Sequence, residues 1–179
     1  MVQGVIYIAY GDKARAEALL AAASLRRHNP DLPVLFLADK VLTIGEGSWW
    51  TGQADAGWKG RGAKVSLYDL SPFDYTLYLD ADTRVHADLG AIFGMLADGW
   101  DMALAFSAFQ GNVLMWHISP SERAATLKPC TEPLALQAGV LAFRKSEAAK
   151  ALFAAWREEW ARYGQMDQAA LLRALQKAP

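Results

Sequence analysis

Hydrophobic and polar positions over the first 39 residues form two short apolar runs separated by a helical pattern. The run Val2 to Tyr10 is stopped by Gly11, which predicts a strand followed by a turn. Helix-forming residues over Lys13 to Arg27 carry leucines that share one face. A second apolar run, VLFLAD, ends at Asp39. The opening segment therefore predicts a β-α-β unit with parallel strands and a right-handed crossover.

Residues 40–62 break this pattern. They hold six glycines and three of the seven tryptophans, Trp49, Trp50 and Trp58. A loop of this length without regular structure is usually functional or mobile. We expect a lid that orders over a bound ligand, with the indole rings as a stacking platform for an acceptor. Tryptophans of a buried core are the alternative.

The rest of the chain continues to alternate strands and helices, although residues 107–133 give no clear pattern. This alternation predicts an α/β fold with a sheet flanked by helices. The predicted elements are a helix over Ala63 to Leu70, a strand over Tyr75 to Leu79, a helix capped by Asp88 that runs to about Leu96, strands over Met102 to Phe106 and within Leu134 to Phe143, and helices over Ser146 to Tyr163 and Met166 to Gln176.

Composition narrows the class of protein. The 179 residues suit a single domain, and 53% hydrophobic with 21% charged residues is ordinary globular material. The formal net charge of -1 gives no overall electrostatic reason to bind nucleic acid or an anionic membrane. The single cysteine, Cys130, excludes an intramolecular disulfide and a thiolate metal cluster. We expect a cytoplasmic protein, because neither a signal peptide nor an apolar run of about 18 residues is evident.

Two carboxylates follow the predicted strand over Tyr75 to Leu79. Asp80 and Asp82 stand two residues apart where that strand ends, and ligands of open α/β sheets collect at the carboxyl ends of strands. Mg2+ and Mn2+ take carboxylate oxygens and often bridge them to substrate phosphates. The pair therefore predicts a metal site beside a diphosphate-bearing ligand. For the isolated tripeptide, an acidic pair that solvates a turn or caps a helix is the alternative.

Five segments of the chain form an ordered set: VIYIAYG, SLRRHNPDLPVLFLAD, AKVSLYDLSPFDYTLYLDADTRV, LQAGVLAFRKS and Met166-Asp167-Gln168. Together they resemble the GT-A glycosyltransferases of the glycosyltransferase family 8 type, which are nucleotide-diphospho-sugar transferases. The resemblance implies one Rossmann-like GT-A domain over residues 1–179, with a mixed, mostly parallel sheet. It also implies a metal-dependent, hexosyltransferase-like enzyme that moves a sugar from a UDP-linked donor with retention of configuration.

The resemblance assigns the nucleotide and its metal to residues at the strand ends. Asp39 would face the base, with a turn aspartate as the alternative. Asp80 and Asp82 would bind Mn2+ or Mg2+ against the donor diphosphate. The residues of this set are Ala9, Tyr10, Gly11, Asp39, Asp80, Ala81 and Asp82.

A second set would contact the sugar and the reacting bond. Lys64 would neutralise charge on the diphosphate or sugar, with a solvated helix lysine as the alternative. Lys59 and Arg61 would shield phosphates or only keep the loop soluble. The donor sugar would meet Gln137, Ala138 and Gly139, and its reacting carbon would meet Asp167 and Gln168.

The chain departs from the family pattern in two places. Gln137 stands where the family usually has asparagine, so the amide reaches one methylene further. Family members commonly supply a histidine as third metal ligand after the Asp-Gln helix, and the sequence ends at Pro179 without one. His28, His86 and His117 all precede that helix, and His86 follows Asp82 by four residues. A surface or core role is the alternative for His86.

Three classes of function remain open at this point. The leading one is a glycosyltransferase acting on an unspecified acceptor. The second is a non-catalytic or partner-dependent module that binds a sugar nucleotide. A nucleotidyltransferase is third, because such enzymes tend to carry a glycine-rich phosphate loop after the first strand, and the turn here has only Gly11. The many apolar residues further suggest a homodimer.

Overall fold

The computed structural model describes residues 1–42, 49–52, 60–106, 118–129 and 136–177. Within these ranges the strands form one six-stranded sheet with helices on both faces. The strands are β1 (Gln3–Ala9), β2 (Val34–Ala38), β3 (Trp49–Gly52), β4 (Tyr75–Leu79), β5 (Met102–Phe106) and β6 (Leu136–Arg144). The helices are α1 (Asp12–His28), α2 (Leu67–Leu70), α3 (Gly90–Ala97), α4 (Pro120–Leu127), α5 (Glu147–Tyr163) and α6 (Asp167–Leu175), and a 3-10 helix spans Gly60–Ser66.

The sheet has the order β3-β2-β1-β4-β6-β5. Strand β1 pairs in parallel with β2 and β4, and β2 pairs in parallel with β3. Strand β6 runs antiparallel between β4 and β5. Every residue of β2 and β4 is buried, and such continuous apolar runs suit parallel strands that are covered on both faces. The predicted mixed, mostly parallel α/β sheet is confirmed.

Two layers of side chains fill the space between the sheet and its helices. On one face, α5 and α6 pack against the sheet around Phe153 and Trp156, and Trp156 is fully buried. On the other face, α1 and α3 contribute Leu25 and Phe93. No helix in the described part of the chain combines the length and the apolar character that a membrane crossing requires.

Several local features differ from the sequence-based expectations. Leu19 and Leu20, expected to share a face of α1 with the buried Leu25, are exposed. Residues 40–62, predicted to be irregular, contain β3, which extends the sheet by pairing with β2. The helix predicted over Ala63 to Leu70 begins earlier as a 3-10 helix, and only its last part, α2, is α-helical. Helix α3 begins at Gly90, and the Asp88 carboxylate accepts a hydrogen bond from the Gly90 amide at 2.8 Å without being the cap residue.

The described residues do not test the prediction that tryptophans form a stacking platform for an acceptor. Residues 43–48 and 53–59, with Trp58 and Lys59, lie outside the described ranges. The side chains of Trp49 and Trp50 lie outside them as well. The platform and the lid therefore stay predictions.

Helix α4 lies in a stretch for which the sequence pattern predicts no element. It begins with Pro120 after Ser119, whose hydroxyl accepts a hydrogen bond from the Glu122 amide at 3.2 Å. The buried guanidinium of Arg173 on α6 then contacts Glu122 at 3.3 Å and Glu159 of α5 at 2.8 Å. These ion pairs join α4, α5 and α6.

The strand directions bring three chain segments to one edge of the sheet. Because β1 and β4 are parallel, their carboxyl ends lie side by side. Because β6 is antiparallel to β4, its beginning lies at the same edge, and the Asp80 amide donates to the Gly139 carbonyl at 2.8 Å. The residues that follow β1 and β4 therefore face the start of β6, as the sequence analysis requires of a site.

Gly4 lies in β1 against the ring of Phe73, and a Cβ at this position would overlap three of the ring carbons. We expect Gly4→Ala to destabilise the fold by about 1–3 kcal/mol, because an added methyl in a packed core forces its neighbours to move. Urea unfolding followed by circular dichroism measures this loss.

Gly94→Ala is the matched control, since nothing lies within 4 Å of the added methyl in helix α3. We expect it to stabilise the fold by about 0.5–1 kcal/mol, because alanine favours a helix more than glycine does. Equal unfolding midpoints for Gly4→Ala and the wild type would contradict the close packing of Phe73 on β1.

Candidate functional site

An open cavity of about 510 Å³ lies at the carboxyl edge of the sheet, where β1 and β4 end. Its walls come from the end of β1, the first turns of α1, the 3-10 helix and the end of β4. The residues of the predicted site that line it are Tyr10, Gly11, Lys64, Asp80, Ala81 and Asp82.

The ammonium group of Lys64 joins two carboxylates of the predicted site. Its Nζ lies 3.0 Å from Asp80 Oδ1 and 2.7 Å from Asp167 Oδ2. Lys64 comes from the 3-10 helix, Asp80 follows β4 and Asp167 begins α6, so one cation connects three elements. The side chains of Lys64 and Asp167 are only 8% and 5% exposed, and water therefore screens this pair weakly.

The surrounding charges keep Lys64 protonated. Burial alone would lower the pKa of its ammonium group, but the charges of Asp167 and Asp80 outweigh burial and hold the pKa above its ordinary value. Two carboxylates against one ammonium leave the cluster net negative, and Asp82 adds a further carboxylate beside it. A divalent cation suits this excess of negative charge.

The carboxylate of Asp80 is held at both of its oxygens. Oδ1 accepts a hydrogen bond from the Tyr78 hydroxyl and also faces Lys64. Oδ2 lies against Gly139, at the place a Cβ would occupy. Burial, together with the Asp80 charge, raises the pKa of the Tyr78 hydroxyl well above its ordinary value. The hydroxyl therefore stays protonated and donates a hydrogen bond to Asp80.

Asp167 reaches Lys64 because the chain turns sharply between α5 and α6. Helix α5 is followed by Gly164 in the left-handed conformation, with a φ of 63°, which suits glycine at a helix end. The indole Nε1 of Trp156 then donates to the Asp167 carbonyl at 2.8 Å. The core of α5 thus fixes the first residue of α6 beside the 3-10 helix.

Asp80 and Asp82 both border the cavity, which the predicted metal pair requires. Asp82 is exposed and the Asp80 side chain is 37% exposed, so both can be reached from solvent. Carboxylate oxygens are donors that Mg2+ and Mn2+ prefer, and the donor set fits such an ion if phosphate and water complete its shell. Within the described ranges, no group of three or more acidic, histidine or cysteine side chains is arranged so that it could hold a metal ion. His86 is exposed, and His117 lies outside those ranges.

Asp39 is not one of the residues that line the cavity. Its carboxylate pairs with the Arg15 guanidinium and accepts a hydrogen bond from the Gly11 amide at 3.2 Å. The Arg15 hydrogen bond is the main reason that the pKa of Asp39 lies below its ordinary value. Asp39 therefore ties the end of β2 to the start of α1, and its contact with a base stays a prediction.

The other predicted residues are not among those that line the cavity. Ala9 and Gly139 are buried in the sheet, and Gly139 reaches the site only through Asp80. Gln137 is exposed near the start of β6, and Gln168 is half-buried beside Asp167 on α6. Their contacts with a donor sugar stay predictions.

Several lining residues have no role in the sequence analysis. Tyr78 is the most informative of them, because it contacts Asp80 directly. Its position two residues before Asp80 was the available signal, since side chains two apart on a strand share a face. Arg61, which the sequence analysis expects either to shield phosphates or only to keep the loop soluble, also borders the cavity. The others are Ile8, Asp12, Lys13, Ala14, Glu17 and Gly60.

No family model and no curated protein matches the sequence. Solved structures do match it. The galactosyltransferase LgtC, in complex with donor and acceptor sugar analogues, has a TM-score of 0.67 and 19% identity over 96% of this chain and 70% of its own. The glycosyltransferase GlyE of Streptococcus pneumoniae TIGR4 has a TM-score of 0.67 and 18% identity, and the match covers 99% of this chain and 44% of GlyE. The bifunctional glycosyltransferase WbbM has a TM-score of 0.66 and 16% identity, and the match covers 97% of this chain and 37% of WbbM.

These matches show that the chain has the α/β fold of GT-A glycosyltransferases, and the expected likeness in fold is confirmed. At 16–19% identity they show the fold alone and assign no role to a residue. The chain spans less than half the length of GlyE and WbbM.

Lys64→Met removes the cation but keeps most of the length of the side chain. Asp167 would stay buried without its partner, and breaking a buried ion pair in this way costs about 3–5 kcal/mol. We expect a loss near the lower end of that range, because Asp80 is partly exposed. Urea unfolding at pH 7 measures it.

Lys150→Met is the control, because Lys150 is 60% exposed and lies 3.7 Å from Glu147 on the same helix. We expect a change within about 0.5 kcal/mol for this surface lysine. If both variants lose the same stability, the Lys64 cluster does not hold its three elements together.

Asp39→Asn tests the connection between β2 and α1. Because folding lowers the pKa of Asp39 from 3.8, its charge stabilises the fold above about that pH, and this contribution disappears as the pH falls through the lower folded value. We expect the wild type to melt at a higher temperature than Asp39→Asn at pH 7, and the two to converge in acid. Thermal unfolding at a series of pH values measures the difference, and a gap that does not depend on pH would contradict it.

Proposed function

We propose that this chain is a metal-dependent glycosyltransferase that moves a sugar from a nucleoside diphosphate sugar, carried by uridine, to an acceptor. The observation that carries the proposal is the Lys64 ammonium between Asp80 and Asp167, in the wall of a cavity that Asp82 also borders. This arrangement offers carboxylates for a cation and an ammonium for phosphate at the same edge of a sheet.

The cavity has the volume for a diphosphate and carries cations that can contact it. Its volume of about 510 Å³ lies within the usual range for sites that bind small molecules. Lys13, Arg61 and Lys64 provide cations along its walls. Helix α1 is 17 residues long and begins at the cavity, so its amino end adds partial positive charge there.

Sugar transfer requires stabilisation of the leaving diphosphate. As the bond from the sugar carbon to the diphosphate oxygen breaks, negative charge grows on the nucleotide. A divalent ion held by Asp80 and Asp82 would supply Lewis-acid stabilisation of that charge. Lys64 adds a permanent positive charge in the same wall, because its carboxylate partners keep it protonated.

Asp167 and Gln168 belong at the sugar end of the donor in this proposal. Asp167 is held by Lys64 and by the core of α5, so its carboxylate is fixed before a ligand arrives. A fixed polar group costs less to order in the transition state than a mobile one. Transfer with retention, in which no general base beside the acceptor is required, follows from the resemblance to family 8.

A non-catalytic or partner-dependent sugar-nucleotide module is the second candidate. The observation that favours it is that the Lys64 ammonium already pairs with Asp80 and Asp167, two carboxylates that the proposed transfer uses. A module of this kind would bind the nucleotide and the metal without turnover.

Release of UDP from UDP-sugars in the presence of Mn2+ separates these functions. We expect slow hydrolysis with a preference among UDP-glucose, UDP-galactose and related donors, and a loss of about 10²-fold or more in Asp82→Asn, because the leaving charge loses its stabilisation. We expect removal of the metal with EDTA to lower the hydrolysis rate of the wild type in the same way. A coupled assay for UDP measures the rates.

Asp31→Asn is the control, since Asp31 is an exposed residue before β2, at the opposite edge of the sheet. Its rate should equal that of the wild type. Binding of UDP and Mn2+ by calorimetry without hydrolysis of any donor would favour the binding module. Absence of binding to both would overturn the proposal.

A further inference from the structure

We propose that Tyr78 and Gly139 are positioning residues for Asp80, and that together they set the affinity of the site for a divalent cation. Tyr78 holds Oδ1 through a hydrogen bond, and Gly139 leaves the space that Oδ2 occupies. The inference rests on the proposed function, in which Asp80 binds the metal.

Tyr78 is suited to hold a carboxylate in one orientation. Its ring is buried in the core between the sheet and helices α5 and α6, so the hydroxyl has little freedom to move. The Lys64 Nζ lies 5.4 Å from the centroid of the Tyr78 ring. Tyr78 therefore contacts both members of the Lys64–Asp80 ion pair. Lys64 has a flexible four-carbon stem and cannot define the plane of the Asp80 carboxylate by itself.

Gly139 limits the same carboxylate from the opposite strand. The pairing of Leu79 with Val140 and the hydrogen bond from the Asp80 amide to the Gly139 carbonyl fix the two backbones together. A Cβ on Gly139 would overlap Asp80 Oδ2 and lie 3.0 Å from Cγ. Since Gly139 belongs to β6 and the Asp80 amide is bonded to its carbonyl, the carboxylate would have to rotate away, and one of its oxygens would leave the position it now holds.

Calorimetric titration of Mn2+ in the presence of UDP tests both residues. We expect Tyr78→Phe and Gly139→Ala to bind Mn2+ about 10- to 100-fold more weakly than the wild type, which is the usual effect of losing a group that orients a metal ligand. Thermal unfolding in EDTA establishes that each variant is folded. If Gly139→Ala does not fold, Tyr78→Phe decides the outcome.

Two matched control variants make the same kinds of substitution away from Asp80, and they test whether the loss of Mn2+ affinity requires contact with Asp80. Tyr75→Phe removes the hydroxyl of another β4 tyrosine, one that contacts the Met1 sulfur at the other end of the strand. Gly94→Ala adds a methyl where nothing lies within 4 Å. Both should bind Mn2+ within twofold of the wild type.

Two further measurements separate positioning from a general structural effect. Tyr78→Phe should bind UDP in EDTA as tightly as the wild type, because its role concerns only the metal ligand. In an Asp80→Ala background, Tyr78→Phe should weaken Mn2+ binding no further, because Tyr78 acts through Asp80.

Each remaining outcome overturns a specific statement. If the wild type binds Mn2+ and Tyr78→Phe binds it equally well, the positioning inference is wrong and the proposed function stands. If Tyr78→Phe loses UDP and Mn2+ binding together, or weakens Mn2+ binding further in Asp80→Ala, the residue is structural and the inference is wrong. If the wild type binds no Mn2+, the metal dependence of the proposed function fails, and this inference fails with it.

Discussion

One buried cation organises the candidate site. The Lys64 ammonium lies between Asp80 and Asp167, and these residues belong to a 3-10 helix, the end of a strand and the start of a helix. A lysine in this position requires compensation for burial, and two carboxylates supply it. The same compensation leaves the cluster net negative, and the divalent cation of the proposed function would meet this charge.

The mixed direction of the sheet explains how one carboxylate can be held so firmly. Parallel pairing of β1 and β4 places Asp80 beside the turn that starts α1, while antiparallel β6 brings Gly139 to the same edge. Tyr78, on the strand itself, contacts Asp80 from within the core. The backbone of one strand and a buried side chain of another therefore limit the same side chain, which a loop could not do as rigidly.

The helical layer contributes through Asp167. The Trp156 indole and the left-handed turn at Gly164 place the first residue of α6, and the buried Arg173 cluster fastens the same helix to α4 and α5. The site thus depends on packing that extends well beyond the cavity. The matched glycosyltransferases LgtC and GlyE are longer chains, and the match covers 70% and 44% of their lengths.

Local signals were sufficient for much of the fold. The strand predicted over Tyr75 to Leu79 and the one over Met102 to Phe106 have the predicted bounds, and Asp80 and Asp82 line a cavity, because a strand and the residue that follows it are defined by neighbours in sequence. Strand β3 was missed, since four residues at a sheet edge give too short a pattern. Only the tertiary structure decided that Lys64 meets Asp167, that Asp39 pairs with Arg15 outside the cavity lining and that Gly139 lies against Asp80. Those contacts join residues far apart in the chain, and the packing of the sheet and helices determines them.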